Sequence, residues 1–265
     1  MAHIRLEDLS LSFPVLHGGS RSLKKTLLSR ARSTVAGKTE AVGGRMRMSG
    51  NATEVVEVQA LSKVSFTISE GERVGLVGHN GAGKSTLLRV LAGIYETDDG
   101  ILDIDGDTHA LIDPKAGMNS ELTGRENIQL FACRMGLSRA ATQELEKDVE
   151  AFSDLGAFFD LPVRLYSSGM SIRLGFALAT VPRSRILLMD EWFMAGDQKF
   201  QDKARARLEG MVDAAEILVV TSHALTVLRQ WCTRIIWMES GEVRMDGPAA
   251  DVLDAYEAAV AATPV

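Results

Sequence analysis

Cysteine is scarce in this chain. Cys133 and Cys232 are the only two, far apart and without metal-ligand spacing. That fits a reducing, cytoplasmic setting. Long apolar runs are missing as well. No stretch reaches the roughly 18 to 20 apolar residues that a membrane helix needs, and the longest, near the C-terminus, is broken by Thr221, Ser222 and His223. The opening residues, MAHIRLEDLSL, lack the unbroken apolar core of a secretory signal. A basic excess is absent too: 29 Lys and Arg against 35 Asp and Glu leave a formal charge of −6, which argues against general nucleic-acid binding. No internal repeat is visible. These absences leave a soluble chain that would serve a membrane only from its surface.

What is present is an ordinary globular balance, 46% hydrophobic and 24% charged over 265 residues, enough for one large domain with a sizeable core. Residues 4–13 alternate apolar and polar and read as a strand. Between Arg21 and Arg47 lie eight Lys or Arg and one acid, Glu40. Leu23, Leu27, Ala31 and Val35 recur every fourth residue there, so 22–35 reads as a short basic amphipathic helix. Residues 36–52 are glycine-rich and polar and read as a loop. Strands follow at 54–60, 63–68 and 73–78, a helix at 86–92, strands at 100–106 and 109–112, and helices at 125–135, 138–154 and 168–179. The continuous apolar run 186–189 is the pattern of a buried parallel strand. A helix at 198–214, a strand at 216–221, a helix at 224–232, a strand at 234–238 and a helix at 251–262 complete the chain. Strands alternating with helices predict an α/β fold with a mainly parallel sheet.

Gly78-His79-Asn80-Gly81-Ala82-Gly83-Lys84-Ser85 fits GxxxxGK[ST], the phosphate-binding P-loop or Walker A pattern, with Thr86 next. It follows a predicted strand and opens a predicted helix. Glycines let the backbone fold tightly round phosphate with its N–H groups turned inward. The helix N-terminus adds positive partial charge. Lys84 then reaches the β- and γ-phosphates, and Ser85 ligates magnesium. Ile186-Leu187-Leu188-Met189-Asp190-Glu191 is an apolar strand ending in two acids, the Walker B pattern. Asp190 is placed to hold the metal. Glu191, one residue on, is placed to orient and deprotonate the attacking water.

Tyr166-Ser167-Ser168-Gly169-Met170 lies about twenty residues before that strand and runs straight into a predicted helix. Alone it reads as a helix N-cap. In this order and spacing it resembles the LSGGQ signature of the ABC (ATP-binding cassette) ATPases, with Ser168 and Met170 departing from the usual Gly and Gln. The resemblance extends to Asp197, at the D-loop position, and to His223, at the position of the switch histidine that contacts the γ-phosphate. Phe13, just past the first strand, is a candidate platform for adenine or a plain core phenylalanine. A Q-loop glutamine has no counterpart; Asp113 lies near its position and offers a carboxylate to magnesium or water.

The chain is similar, over nearly its whole length, to the ATPase subunits of bacterial polysaccharide exporters, which move lipid-linked O-antigen, capsule or teichoic acid. Phe13-Pro14 with 20–24, Gly78-His79-Asn80, residues 121–127 (ELTGREN), the 166–170 motif, Asp190-Glu191-Trp192 and Gly196-Asp197 carry that likeness. The resemblance implies a P-loop NTPase of ABC fold: a mainly parallel core sheet, an antiparallel β subdomain and an α-helical signature subdomain. It implies one nucleotide-binding domain over 1–265, with a basic insertion at 17–52, a helical subdomain at 115–180 and a tail helix within 240–265. It also implies ATP and Mg2+ as cofactors, a homodimer with ATP at its interface, and an integral-membrane permease that itself contacts the polymer. No nucleic acid is expected. The setting implied is peripheral, on the cytoplasmic face of the inner membrane. The basic segment is either a solvated insertion or a contact for anionic lipid or the permease. Rival readings are an ATPase of another transporter, a non-transport ABC ATPase acting on DNA or ribosomes, and a nucleotide-gated scaffold that barely turns ATP over. Only 83 positions separate Lys84 from Ser167, which leaves no room for the long coiled coils of the chromosome and repair forms.

Overall fold

A computed structural model describes residues 1–16, 40–41, 44–48, 55–113, 115–190 and 198–262. The first elements are β1 (His3–Leu16), β2 (Glu40–Ala41), β3 (Gly44–Met48), β4 (Val55–Ser69), β5 (Arg73–Val77), α1 (Lys84–Leu91), β6 (Asp99–Asp105) and β7 (Thr108–Leu111). The helices α2 (Gly124–Arg134) and α3 (Arg139–Ser153) follow, then two 3-10 turns (Gly156–Asp160 and Val163–Leu165), α4 (Ser168–Ala179), β8 (Ile186–Met189) and α5 (Gln198–Ala214). The chain continues through β9 (Ile217–Thr221), α6 (Leu225–Trp231), β10 (Arg234–Glu239), β11 (Glu242–Pro248) and α7 (Ala249–Ala262). One sheet is antiparallel and the other mixed and mostly parallel, so the α/β class holds. The chain divides into two compact units, Met1–Asp105 with Val219–Val265 and Gly106–Leu218.

In the first unit the antiparallel sheet runs β2-β3-β4-β1-β6. Its apolar face changes phase half-way. On β1 the buried residues are Ile4 and Leu6, then Leu9 and Leu11; on β4 they are Leu61, then Val64, Phe66 and Ile68. A strand turns every second side chain to one face, so each three-residue step needs an inserted residue. These are Asp8 and Lys63, both in the left-handed region (φ 48° and 49°), where the pairing register shifts. Two serines across the pair hold the bulge: Asp8 N–H donates to Ser65 Oγ (2.8 Å) and Lys63 N–H to Ser10 Oγ (3.1 Å). On β6, Gly100 has φ 96°, and a Cβ there would come within 2.6 Å of the Glu7 carbonyl oxygen, so glycine alone fits beside the bulge.

The slipped phase explains one correction. Residues 54–60 and 63–68 read as two strands; they are a single strand with a kinked middle. A second correction concerns 36–52, read as a loop: β2 and β3 lie within it, β2 pairing antiparallel with β3 and β3 antiparallel with β4. The helix predicted at 22–35 falls outside the described residues. Also in this unit, β5 pairs parallel with β10, and β10 antiparallel with β11. The strand β11 has no buried side chain, hence no apolar alternation to betray it. Arg234 ties it in, donating to Asp246 (2.7 Å), Glu72 (2.9 Å) and the Thr67 carbonyl oxygen (2.8 Å).

In the second unit β7 and β8 pair in parallel, Leu111 opposite Met189. The helices α2, α3 and α4 pack round Ile128, Val149, Phe159 and Leu174. The helix α2 starts on a capping box in which the Thr123 hydroxyl accepts from Glu126 N–H and the Glu126 carboxylate from Thr123 N–H. Phe152, Phe176 and Phe200 form an aromatic cluster with centroids 5.5–5.7 Å apart.

Candidate functional site

The loop 78–83 leaves β5 and enters α1 directly at Lys84. The helix starts two residues earlier than its apolar pattern indicates, because Gly83 (φ 103°) turns the chain into it. Ala82 N–H donates to His79 O (3.1 Å) and Leu87 N–H to Gly83 O (2.8 Å), which closes the loop on itself. Lys84 Nζ reaches back across it to Gly78 O (2.7 Å) and His79 O (3.1 Å). A side chain at Gly78 would overlap the Met238 carbonyl oxygen, so the loop's first residue is pressed onto β10. His79, Asn80 and Gly81 stay exposed at the rim, Ala82 is fully buried, and Ser85 and Thr86 are half-buried in the first turn of α1. The result is a short backbone cradle on a helix N-terminus with an ammonium over it, which suits an anion of phosphate type.

His223 belongs to the same unit. It is exposed, two residues beyond the end of β9, on a turn where Ser222 Oγ accepts from Ala224 N–H (3.0 Å). His223 and Gly78 line one pocket of about 360 Å³. Phe13 is half-buried, and its ring meets that of Tyr95 edge to face at 5.3 Å. Tyr95 was not singled out in the sequence; its signal is an aromatic residue soon after the helix that the P-loop opens.

The second unit carries the other group of residues. Asp190 follows the last residue of β8, and its N–H donates to Leu111 O (2.9 Å). Asp113 lies two residues past Leu111, so both carboxylates stand at the C-terminal ends of adjacent parallel strands, where ligands of α/β sheets bind. One Asp113 oxygen already accepts from Lys115 N–H (2.8 Å). Ser167 caps α4, its hydroxyl accepting from Met170 N–H (3.3 Å). Ser168 is exposed, Met170 packs against the helical core, and a Cβ on Gly169 would meet open space. The Tyr166 hydroxyl donates to Phe158 O (2.9 Å), and burial raises its pKa. Glu191, Trp192 and Asp197 lie outside the described residues.

A family model described as ABC transporter matches residues 61–194. The chain belongs to the ABC transporter family. As an ATPase of that family it binds and hydrolyses ATP. Among its relatives is the O-antigen export system ATP-binding protein RfbE of Yersinia enterocolitica, 40% identical over 91% of this chain and 96% of that protein. The teichoic acids export ATP-binding protein TagH of Lactococcus lactis is 34% identical over 89% of this chain, which spans half of TagH. The ABC cassette fold also recurs in solved structures. An ATP-binding subunit of an ABC transporter superposes with a TM-score of 0.64 at 21% identity, over 96% of this chain and 93% of the other. A dimeric cassette in a post-hydrolysis state with ADP and Pi superposes with 0.65 at 20% identity, over 93% and 98%.

Proposed function

We propose that this chain is the ATP-hydrolysing subunit of an exporter that moves a lipid-linked polysaccharide of the O-antigen class across the bacterial cytoplasmic membrane. The observation that carries this is the 40% identity with RfbE along 91% of the chain. The whole chain is read as one nucleotide-binding domain that works as a homodimer on an integral-membrane permease, and the permease holds the polymer. Among the described residues no helix is long and apolar enough to cross a membrane, in keeping with a peripheral place on the cytoplasmic face.

In this reading the loop N–H groups and Lys84 grip the β- and γ-phosphates. Adenine lies against Phe13. Ser85 and Asp190 offer a hydroxyl and a carboxylate, the hard oxygen donors that magnesium prefers, alongside phosphate and water; Asp113 is a further carboxylate for it. When bound, the ion neutralises charge on the β- and γ-oxygens. Glu191 draws a proton from the attacking water, and His223 holds the γ-phosphate in line. Ser167 and Gly169 of a second copy close over that phosphate with hydroxyl and backbone donors. Closure of the pair moves the permease; hydrolysis reopens it.

The test is recovery of the tagged full chain from native membranes in mild detergent. A polytopic permease encoded beside glycan-synthesis enzymes is expected in the eluate. Recovery with ribosomes or DNA would overturn the exporter reading while leaving the ATPase motifs in place.

A further inference from the structure

The pocket that His223 shares with Gly78 has a third wall. It is α7, which contributes Tyr256, Glu257 and Val260. That helix is anchored at its start, where Val252 and Leu253 are fully buried. Its Tyr256 ring lies edge to face on Trp237 at 5.3 Å. Trp237 is on β10, directly opposite Val77, the residue before the phosphate loop. One side of α7 is thus seated on the strand pair that carries the loop.

The other side is fastened to the helix that carries the His223 turn. Arg229 on α6 donates to Asp254 (2.7 Å) and Glu257 (3.0 Å) on α7. The turn between β9 and α6 is three residues, 222–224, so His223 goes where the start of α6 goes. A helix of seven residues has no stability of its own. Packing sets its direction. Val227, Leu228 and Trp231 are buried, and the Arg229 bridge acts on its outer face.

We propose that α7 is a brace for the His223 turn and that Arg229 is the positioning residue that fastens it. The brace links the phosphate loop and the switch turn through one helix, so that a shift of α7 changes hydrolysis without changing the groups that touch ATP. This rests on the reading of His223 as a γ-phosphate contact. Arg229, Asp254 and Glu257 are all well exposed. The bridge is therefore a modest lever, about two- to fivefold in turnover.

The test uses the full chain carrying Arg229→Gln, and separately Asp254→Asn with Glu257→Gln, which leaves the arginine stem in place. Amide exchange of the segment 221–226 is measured together with melting temperature, kcat and KM for ATP. Faster exchange in that segment is expected in both, with kcat down about two- to fivefold and KM within about twofold. In a His223→Ala background Arg229→Gln should lower kcat no further, since the bridge acts through that histidine. Unchanged exchange at 221–226, or an equal loss of kcat without His223, would overturn the brace. A wild-type chain that turned over no ATP would count against the proposed function instead, and the exchange measurement would still decide the brace.

Discussion

The Lys84 ammonium donates to the carbonyl oxygen of Gly78 at 2.7 Å, from the first residue of α1 to the first residue of the loop before it. The side chain therefore lies folded over the cradle it serves, with its charge against the backbone that would receive phosphate. Lys84→Ala removes that charge but little buried area. ATP turnover should fall by at least about two orders of magnitude, while the melting temperature stays close to wild type. Wild-type turnover in the variant would refute the site.

Ser167 offers a way to separate capping from catalysis. As the N-cap of α4 its hydroxyl accepts from Met170 N–H, and loss of a cap costs about 1 kcal/mol. Aspartate caps as well as serine but brings a negative charge. Ser167→Asp should keep the melting temperature and lose turnover, because the carboxylate repels a γ-phosphate presented by a second copy. Ser167→Ala should lose stability by about the cap energy and turnover less steeply. Equal turnover in Ser167→Asp and wild type would leave Ser167 as a cap only.

The parts legible in the sequence were those with a short-range cause. The cradle from Gly78 to Ser85 was readable because phosphate binding dictates residue type position by position. The buried strand β8 was readable because its four apolar residues run straight into two acids, Asp190 and Glu191. The helix α4 was readable from its cap at Ser167 and its length. The illegible parts had long-range causes. The bulge at Asp8 and Lys63 exists because two strands far apart in the chain share it, so along either strand alone it resembles a break. Exposed β11 is a strand only because β10 stands beside it. The pairing of Tyr95 with Phe13, and of α7 with the His223 turn, joins segments that carry no common motif.

Asn127 is a buried polar residue in the first turns of α2. Its side-chain amide donates to the carbonyl oxygens of Asn119 (3.0 Å), Leu122 (3.3 Å) and Thr123 (2.8 Å), and its side-chain oxygen accepts from Asn119 N–H (2.8 Å). It is the fastening of the turn 119–123 onto the helix. Asn127→Ala takes the acceptor from Asn119 N–H and one of two donors from each of the three carbonyl oxygens, which keep the backbone N–H groups of Leu122, Val163 and residue 127, and should cost about 1 to 3 kcal/mol, measured by denaturant unfolding. A loss under about 0.5 kcal/mol would mean that water takes the place of the amide.

His109 on β7 links to the last residue of α4, its Nε2–H donating to the Ala179 carbonyl oxygen at 2.6 Å. Burial lowers its pKa below the ordinary 6.5, and the bond to Ala179 offsets this only in part. The neutral ring is therefore the folded form near neutrality. Above 6.5 the ring is neutral in both folded and unfolded chains, and its titration contributes nothing to pH dependence. As the pH falls below 6.5 the unfolded chain takes up the proton and the folded chain does not, so stability is lost until the folded pKa is reached. Glutamine keeps an N–H donor at that position but does not titrate. On going from about pH 7.5 to about pH 5, wild type should therefore lose more melting temperature than His109→Gln, with the two closest at the upper end. Parallel curves for the two proteins would show that the ring stays solvated, and that its bond to Ala179 does not need the neutral form.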